Sequence, residues 1–208
     1  MSESPALRTA LDEALSGLDR PRAVSLAIQA LQDGSVSLPD LYDLLSGILI
    51  DLGSAWQTGT AEVWQEHAVT GIVRTIVEAC VHEVEAAAPT DQPATVVLAA
   101  PSDEYHDLGL RMLTDRFTLR GWRAHFLGAN VPVAQVLWAV RELSADAVVL
   151  SASTHFHRLQ LREYATALTE AEPDLVIWVG GPAFAHEHRG WDDEQVLDPH
   201  GIPAAGAQ

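Results

Sequence analysis

Four short apolar runs in the second half of the chain alternate with helical patterns, and this alternation limits the fold more than any other feature. The runs cover residues 95–99, 123–127, 147–150 and 175–179, and helical patterns over 107–119, 133–143 and 155–169 connect them. Strands this apolar are typical of parallel sheets whose two faces are covered by helices. A short edge strand is expected at about 195–197, and residues 201–208 are expected to be loose.

The first 88 residues show only helical patterns. Leucines recur there at spacings of three and four, and the four predicted helices cover about 7–18, 21–31, 38–52 and 61–87. A stretch of alanines and prolines over 86–93 then reads as a linker. The sequence therefore predicts two domains, a four-helix bundle over 1–88 and an α/β domain over 94–208.

Composition excludes several classes of function. The chain has 12 basic residues, all of them arginine, against 29 acidic ones, and its net charge of −17 argues against direct binding to nucleic acid. The sequence contains no lysine, which excludes a phosphate-binding loop that uses a lysine and any chemistry through a lysine Schiff base. Cys80 is the single cysteine, so a disulfide or a cysteine metal cluster is also excluded. No signal peptide or membrane span is visible, so a cytoplasmic location is expected.

Ligands of open α/β sheets bind at the carboxyl ends of the strands. The loop after the first predicted strand carries Glu104, His106 and Gly109. A metal-bound imidazole usually donates its second N–H to a carboxylate or carbonyl, and Glu104 suits that part. Gly109 has no Cβ to obstruct a large ligand at the start of the helix. The alternative interpretation is a loop histidine that caps this helix.

Two further strand ends carry residues suited to ligand binding. Ser151 and Ser153 offer hydroxyls after the third strand, and Gly180 and Gly181 end the fourth, where backbone passes close to something bulky. Carboxylate-x-His-x-x-Gly, Ser-x-Ser and Gly-Gly, each ending a strand, together resemble the cobalamin-binding domain. The resemblance covers about residues 94–182 and implies a Rossmann-like (flavodoxin-like) parallel sheet.

The resemblance implies that His106 is the lower axial ligand to the cobalt of cobalamin and that Glu104 supports it. The Ser-x-Ser pair would line the channel for the detached nucleotide tail, with the Gly-Gly pair beneath it. Glu104 stands where the family more commonly has aspartate.

A second pattern lies in the helical half, where Trp56 is followed after nine residues by Glu66 and His67. Val63, Glu66 and His67 share one face of a helix, and this face is either solvated or meets a polar ligand. Considered by itself, Trp56 is interpreted as a core residue. Together with the cobalamin motifs, the pattern resembles the CarH/LitR-type adenosylcobalamin photoreceptors. That resemblance implies that the bundle caps the upper face of the cofactor, with Trp56 covering the adenosyl group and Val63, Glu66 and His67 contacting it.

The implied function is a stand-alone light sensor and regulator rather than an enzyme. Photolysis of adenosylcobalamin would change the interface between the bundle and the α/β domain. That change would in turn alter self-association of the protein or its binding to a partner such as a transcription regulator. No helix-turn-helix precedes the bundle, so direct DNA binding is not expected. Gln57 replaces a histidine that binds cobalt after illumination in some photoreceptors, which leaves His67 as a conceivable substitute. The alternatives are a corrinoid methyl carrier of a methyltransferase system and a cobalamin-scavenging protein without a switch.

The remaining histidines are interpreted as surface residues. Two pairs lack the third ligand that a strong metal site needs, namely His155 with His157 and His186 with His188. His155 is expected near the nucleotide tail because it closely follows Ser153. His82 and His125 are assigned to the surface or to helix ends.

Overall fold

The computed structural model describes residues 5–185 and 190–206, and the chain divides into two compact units, Met1–Ala87 and Ala88–Gln208. The first unit is helical: α1 (Pro5–Ser16), α2 (Arg20–Gln32), α3 (Leu38–Gln57), α4 (Val63–Ala79) and α5 (Val81–Ala87). In the described part of the chain, every helix is too short or too polar to cross a membrane.

Local signals in the sequence explain where the helices of the first unit begin. The Asp19 carboxylate accepts a hydrogen bond from the Arg22 N–H at the start of α2, and Ser37 Oγ accepts one from the Asp40 N–H at the start of α3. Between these caps, the apolar faces of the helices form a buried core that includes Leu11, Leu15, Leu41, Leu45, Val73 and Ile76.

The fourth predicted helix is interrupted at Cys80, which separates α4 from α5. The Cys80 N–H is shared between the Ile76 and Val77 carbonyls, 3.2 Å from each, so the last turn of α4 tightens and ends. Cys80 itself is fully buried. The prediction of one helix over 61–87 was therefore wrong in this detail.

The second unit is an α/β domain. Its elements are β1 (Ala94–Ala99), α6 (Leu108–Leu119), β2 (Trp122–Gly128), α7 (Val133–Glu142), β3 (Ala147–Ser151), α8 (His155–Ala171) and β4 (Val176–Gly180). The four strands are parallel in the order β2-β1-β3-β4. The predicted fold class, a helical region followed by a parallel sheet with helices, is confirmed.

Alternate side chains of β1 supply two separate cores, one on each face of the sheet. Val97 belongs to the cluster with Leu161 of α8, whereas Val96 packs in the cluster with Phe117 of α6. Every β1 residue is buried, and all of them except Thr95 are apolar, as expected for a strand covered on both faces.

The end of the chain is tied to the sheet. Trp122 Nε1 donates to the Pro203 carbonyl at 2.8 Å, Arg120 Nε donates to the Ile202 carbonyl at 3.0 Å, and Ile202 is buried. The predicted edge strand at 195–197 is reduced to a single bridge between Val179 and Val196. The expectation of a loose tail was wrong for residues 201–206, because these contacts come from residues about 80 positions earlier in the chain.

Candidate functional site

The strand order points to a ligand site between β1 and β3. From β1 the chain crosses to β2 on one side, and it later returns to β3 on the other side. Ligands of doubly wound sheets bind at such a switch point, outside the carboxyl ends of the strands. The loops that leave β1 and β3 carry His106 and Ser153 respectively.

The loop after β1 is fixed by contacts with neighbouring elements. Asn130 Oδ1 accepts a hydrogen bond from the Asp103 N–H at 3.0 Å, and the Asn130 N–H donates to the Glu104 carbonyl at 2.9 Å. The hydroxyl of the buried Tyr164 accepts from the Ser102 N–H and donates to the Val131 carbonyl, both at 2.9 Å. These bonds hold the backbone that positions Glu104.

The Glu104 carboxylate is the centre of the site. It is 0 % exposed and accepts hydrogen bonds at both oxygens. Oε1 accepts from the His106 backbone N–H at 3.0 Å and lies 2.7 Å from His106 Nδ1. Oε2 accepts from the Ser153 N–H at 2.7 Å and from Ser153 Oγ at 2.5 Å. One carboxylate thus joins the loops after β1 and β3.

The same contacts set the charge of Glu104. Burial raises the pKa of this carboxyl, but the hydrogen bonds from Ser153 and His106 outweigh it and lower the pKa from 4.5 to about 2. Glu104 is therefore a buried anion at neutral pH.

The charge of Glu104 fixes the tautomer of His106. An ionised carboxylate only accepts hydrogen bonds, so His106 Nδ1 carries a proton, and in the neutral imidazole the lone pair is then on Nε2. The His106 side chain is 77 % exposed. The residue thus presents an oriented nitrogen donor to solvent, backed by a carboxylate, as metal-ligating histidines typically are.

A second histidine, His157, also meets Glu104. Its Nδ1 lies 2.9 Å from Glu104 Oε2, and its side chain is only 12 % exposed, so its interpretation as a solvated loop histidine was wrong. Thr154 caps the start of α8 by accepting from the His157 N–H. The Ser/Thr signal ahead of a helical pattern could have placed His157 in the first turn of α8, next to Ser153.

The glycines of the site differ in what surrounds them. A Cβ on Gly109 would meet nothing within 4 Å, so this position leaves open space at the start of α6. Gly181 has φ +95°, and a Cβ there would lie 2.5 Å from the Ala152 carbonyl oxygen and 2.7 Å from Ser151 Oγ. Gly181 is thus required by the protein's own backbone, whereas the half-buried Gly180 has more room.

The predicted residues of the helical unit lie near the end of α3 and the start of α4. Trp56 is 48 % exposed, so the alternative interpretation of Trp56 as a core residue was wrong. Val63 is also exposed. Glu66 accepts from Thr70 Oγ1 at 2.8 Å and lies 2.9 Å from His67 Nδ1. Apolar and polar groups are thus presented together on this part of the unit.

The other histidines are scattered. His155 is exposed, and its Nδ1 lies 2.9 Å from Arg158 Nη2. His82 is exposed on α5 as predicted, whereas His125 lies on β2 with its Nε2 buried and without a hydrogen bond, contrary to its assignment to the surface. His186 and His188 lie outside the described residues.

The described residues fit a cofactor that brings its own metal. Over 5–185 and 190–206, no three histidine, cysteine or acidic side chains are arranged to hold a metal ion by themselves. His106 offers a single nitrogen whose orientation is fixed, beside the open space at Gly109. Such an arrangement suits a metal that needs one axial ligand from the protein.

Comparison with known proteins identifies the family. Residues 94–197, half of the chain, match the family model of the B12 binding domain. This chain belongs to the B12-binding domain family. The matched segment contains Glu104, His106 and both strand-end motifs that follow them.

Two curated relatives come from Myxococcus xanthus. The HTH-type transcriptional repressor CarH is 32% identical over 88% of this chain, and the repressor CarA is 29% identical over 77% of it. The chain spans 59% and 48% of their respective lengths. These relatives support the predicted membership of a CarH-like cobalamin-binding family.

A solved structure supports the fold. The monomethylamine corrinoid protein of Methanosarcina barkeri superimposes with a TM-score of 0.73, covering 90% of this chain and 88% of that one. At 19% sequence identity, the similarity concerns the fold alone.

Proposed function

We propose that this protein is an adenosylcobalamin-dependent light sensor in which His106 is the lower axial ligand to cobalt. The observation that carries the proposal is the 2.7 Å contact between His106 Nδ1 and the buried Glu104 carboxylate, which leaves Nε2 as the nitrogen available to a metal. The family match and the relationship to CarH support cobalamin as the ligand and adenosyl as its upper group.

Each residue of the α/β unit has a defined part in this proposal. His106 binds cobalt through Nε2, and Glu104 holds the ring through Nδ1. Ser153 fixes Glu104 from the loop after β3, while Ser151 and Gly180 line the channel for the nucleotide tail. Gly109 leaves room for the corrin at the start of α6.

The helical unit contributes the residues that contact the upper group. We assign Trp56 to cover the adenosyl group, because a half-exposed indole offers a large apolar surface, with Val63, Glu66 and His67 as its neighbours. Adenosylcobalamin supplies a cobalt–carbon bond that visible light cleaves. These side chains then lose their contacts with adenosyl. A ligand shifts a conformational equilibrium only by binding one conformation more tightly than the other, so the loss of these contacts changes which conformation is favoured.

The output of the sensor is a change in self-association or in binding to a protein partner. The relatives CarH and CarA are named transcriptional repressors, which supports a regulatory role for this chain. The net charge of −17 favours a basic partner protein over direct contact with nucleic acid.

Size-exclusion chromatography after reconstitution with adenosylcobalamin tests the proposal. One sample is kept in darkness and a second is exposed to green light, with absorption spectra taken of both. The proposal predicts a bound spectrum that changes on illumination, together with a shift in elution volume of the protein or of its complex with a partner. A bound, light-stable spectrum would contradict the sensor, and no binding at all would contradict the assignment of His106.

A corrinoid methyl carrier is the second candidate, since the same fold occurs in the monomethylamine corrinoid protein. The substitution Trp56→Ala separates the two functions. A sensor loses its preference for adenosylcobalamin over methylcobalamin, whereas a carrier needs an accessible upper face and changes little. Trp64→Ala is the matched control, because Trp64 is a neighbouring exposed indole outside the proposed contact set.

A further inference from the structure

Residues 197–206, called the strap below, cross the α/β unit from one edge of its sheet to the other. The Leu197 N–H donates to the Val179 carbonyl of β4 at 2.9 Å, and the Ala205 N–H donates to the Arg120 carbonyl, just before β2, at 3.1 Å. β4 and β2 are the two edge strands of the sheet. The strap therefore passes over the whole width of the sheet and reaches the turn that enters β2.

One side chain anchors the strap in the core. Ile202 is 3 % exposed and belongs to the cluster that contains Phe117 and Trp122. The Ile202 carbonyl accepts a hydrogen bond from Arg120 Nε at 3.0 Å, and the Pro203 carbonyl accepts one from Trp122 Nε1 at 2.8 Å. A buried apolar side chain and two satisfied carbonyls hold this segment in place although it forms neither helix nor strand.

The linker between the two units reaches the same turn. Residues 88–93 lie between α5 and β1 and form neither helix nor strand. Gly121, directly before β2, is buried and has φ +86°. A Cβ built on it would lie 3.8 Å from Pro89 Cγ and 3.7 Å from the Asp91 carbonyl oxygen in the linker, and 3.7 Å from Ala205 Cβ in the strap. Linker and strap thus meet over one glycine.

A second glycine brings the strap to the other end of the linker. Gly206 has φ +76°, and a Cβ built on it would lie 3.5 Å from Pro93 Cγ, next to the start of β1. We infer that the strap holds the linker on the α/β unit, so that the linker is anchored from Pro89 onward. The inference goes beyond the proposed function, because these contacts lie at the amino ends of β1 and β2, whereas His106 follows the carboxyl end of β1.

This anchor sets the length of chain that can move between the two units. With the strap in place, residues 89–93 move together with the sheet. Without it, the whole of 88–93 connects α5 to β1 freely, and an extended chain of this length reaches about 20 Å. The strap is therefore a device that keeps the connection short, and its release lengthens the connection.

Nitrogen-15 relaxation of the full chain without cofactor tests the inference against a strap that only covers the core. The amides of Thr90, Asp91 and Gln92 report on the linker, since Pro89 and Pro93 have no amide proton. In the wild type their order parameters should approach the value of about 0.85 found for rigid backbone. Values below about 0.6, which are typical of flexible chain, would overturn the inference.

Two variants release the strap to different extents. Ile202→Asp places a charge at the buried anchor, so the strap should detach and the order parameters of the linker should fall below about 0.6. Ala205→Pro removes the N–H that donates to Arg120 and should loosen the linker while Ile202 stays buried. Ala204→Asp is the matched control, because it adds the same charge at an exposed position of the strap and should leave the linker as in wild type.

The protease Asp-N, which cuts on the amino side of aspartate, gives a second readout at the bond between Thr90 and Asp91. Cleavage there, followed by mass spectrometry, should accelerate at least about tenfold in Ile202→Asp and stay within about twofold of wild type in Ala204→Asp, because it follows the population of the freed segment. A strap that becomes mobile while the linker stays ordered and protected would overturn the inference. Near-ultraviolet circular dichroism checks that the core is folded, and if Ile202→Asp does not fold, Ala205→Pro decides by the same two measurements.

Discussion

The substitution Glu104→Gln should destabilise the α/β unit at neutral pH and lose that effect in acid. The carboxylate accepts four hydrogen bonds, two at Oε1 from His106 and two at Oε2 from Ser153. A glutamine has only one oxygen, so its NH₂ group must face the donors at the other position. The amide best keeps its oxygen toward Ser153 and turns its nitrogen toward His106, which favours the His106 tautomer with the proton on Nε2.

The pKa of Glu104 gives the magnitude. Lowering this pKa from 4.5 in the unfolded chain to about 2 in the folded one corresponds to at most about 3 kcal/mol of stability. Because the folded pKa is depressed, the contribution is complete above pH 4.5 and disappears as the pH falls toward 2. Two lost hydrogen bonds to a charged group, at about 1.5–3 kcal/mol each, give a similar figure.

Urea unfolding monitored by tryptophan fluorescence measures this difference. Trp122 and Trp178 pack at 5.7 Å between ring centroids inside the α/β core and report on that unit. Wild type should exceed Glu104→Gln by about 3 kcal/mol at pH 7 and by about half of that near pH 3.3. Glu163→Gln, an exposed carboxylate on α8, should lie within about 0.5 kcal/mol of wild type at both pH values. An equal difference at both pH values, or none at pH 7, would refute the reasoning.

Three further variants test other parts of the account. Gly181→Ala should cost about 2 kcal/mol or more in urea unfolding, because φ is +95° and the new Cβ would meet the Ala152 carbonyl oxygen at 2.5 Å; stability close to wild type would contradict this strain. In Gly109→Ala the new methyl group enters open space at a helical position, so stability in the same assay should rise by up to about 1 kcal/mol. The same methyl group should weaken binding of adenosylcobalamin, and an unchanged affinity would remove Gly109 from the site. Tyr164→Phe loses the hydroxyl that joins Ser102 to Val131 and should cost about 1–2 kcal/mol, with more rapid hydrogen exchange at the Ser102 amide; unaltered exchange would show that Tyr164 does not hold the loop.

Much of the fold follows from local patterns in the sequence. The predicted strand at 147–150 is β3 (Ala147–Ser151), and that at 175–179 is β4 (Val176–Gly180), because runs of buried apolar residues end where polar residues or glycine begin. The end of α4 at Cys80 was not predictable in this way, since the apolar period continues through the break. The ordered tail was missed because Arg120 and Trp122, which bind it, lie far away in sequence.

The site could be predicted where one loop carries its own chemistry. Glu104 and His106 are two residues apart after a strand, and the structure brings them together with Ser153. His157 was interpreted as solvated because its contact with Glu104 joins residues 53 positions apart, and only the fold of α8 against the β1 loop creates it. Gly181 was expected to face a bulky ligand, whereas its closest neighbours are Ala152 and Ser151 of the adjoining strand end.

Electron paramagnetic resonance of the protein with cobalt(II) cobalamin tests the central claim most directly. A nitrogen ligand along the cobalt axis splits each cobalt line in three when it is ordinary nitrogen-14 and in two when it is nitrogen-15. Protein labelled with nitrogen-15 histidine should therefore show doublets, and His106→Ala should lose them, because His106 Nε2 is the oriented donor of the site. Triplets in the labelled protein would mean that the cofactor's own base stays on cobalt, and doublets that persist in His106→Ala would assign the ligand to another histidine.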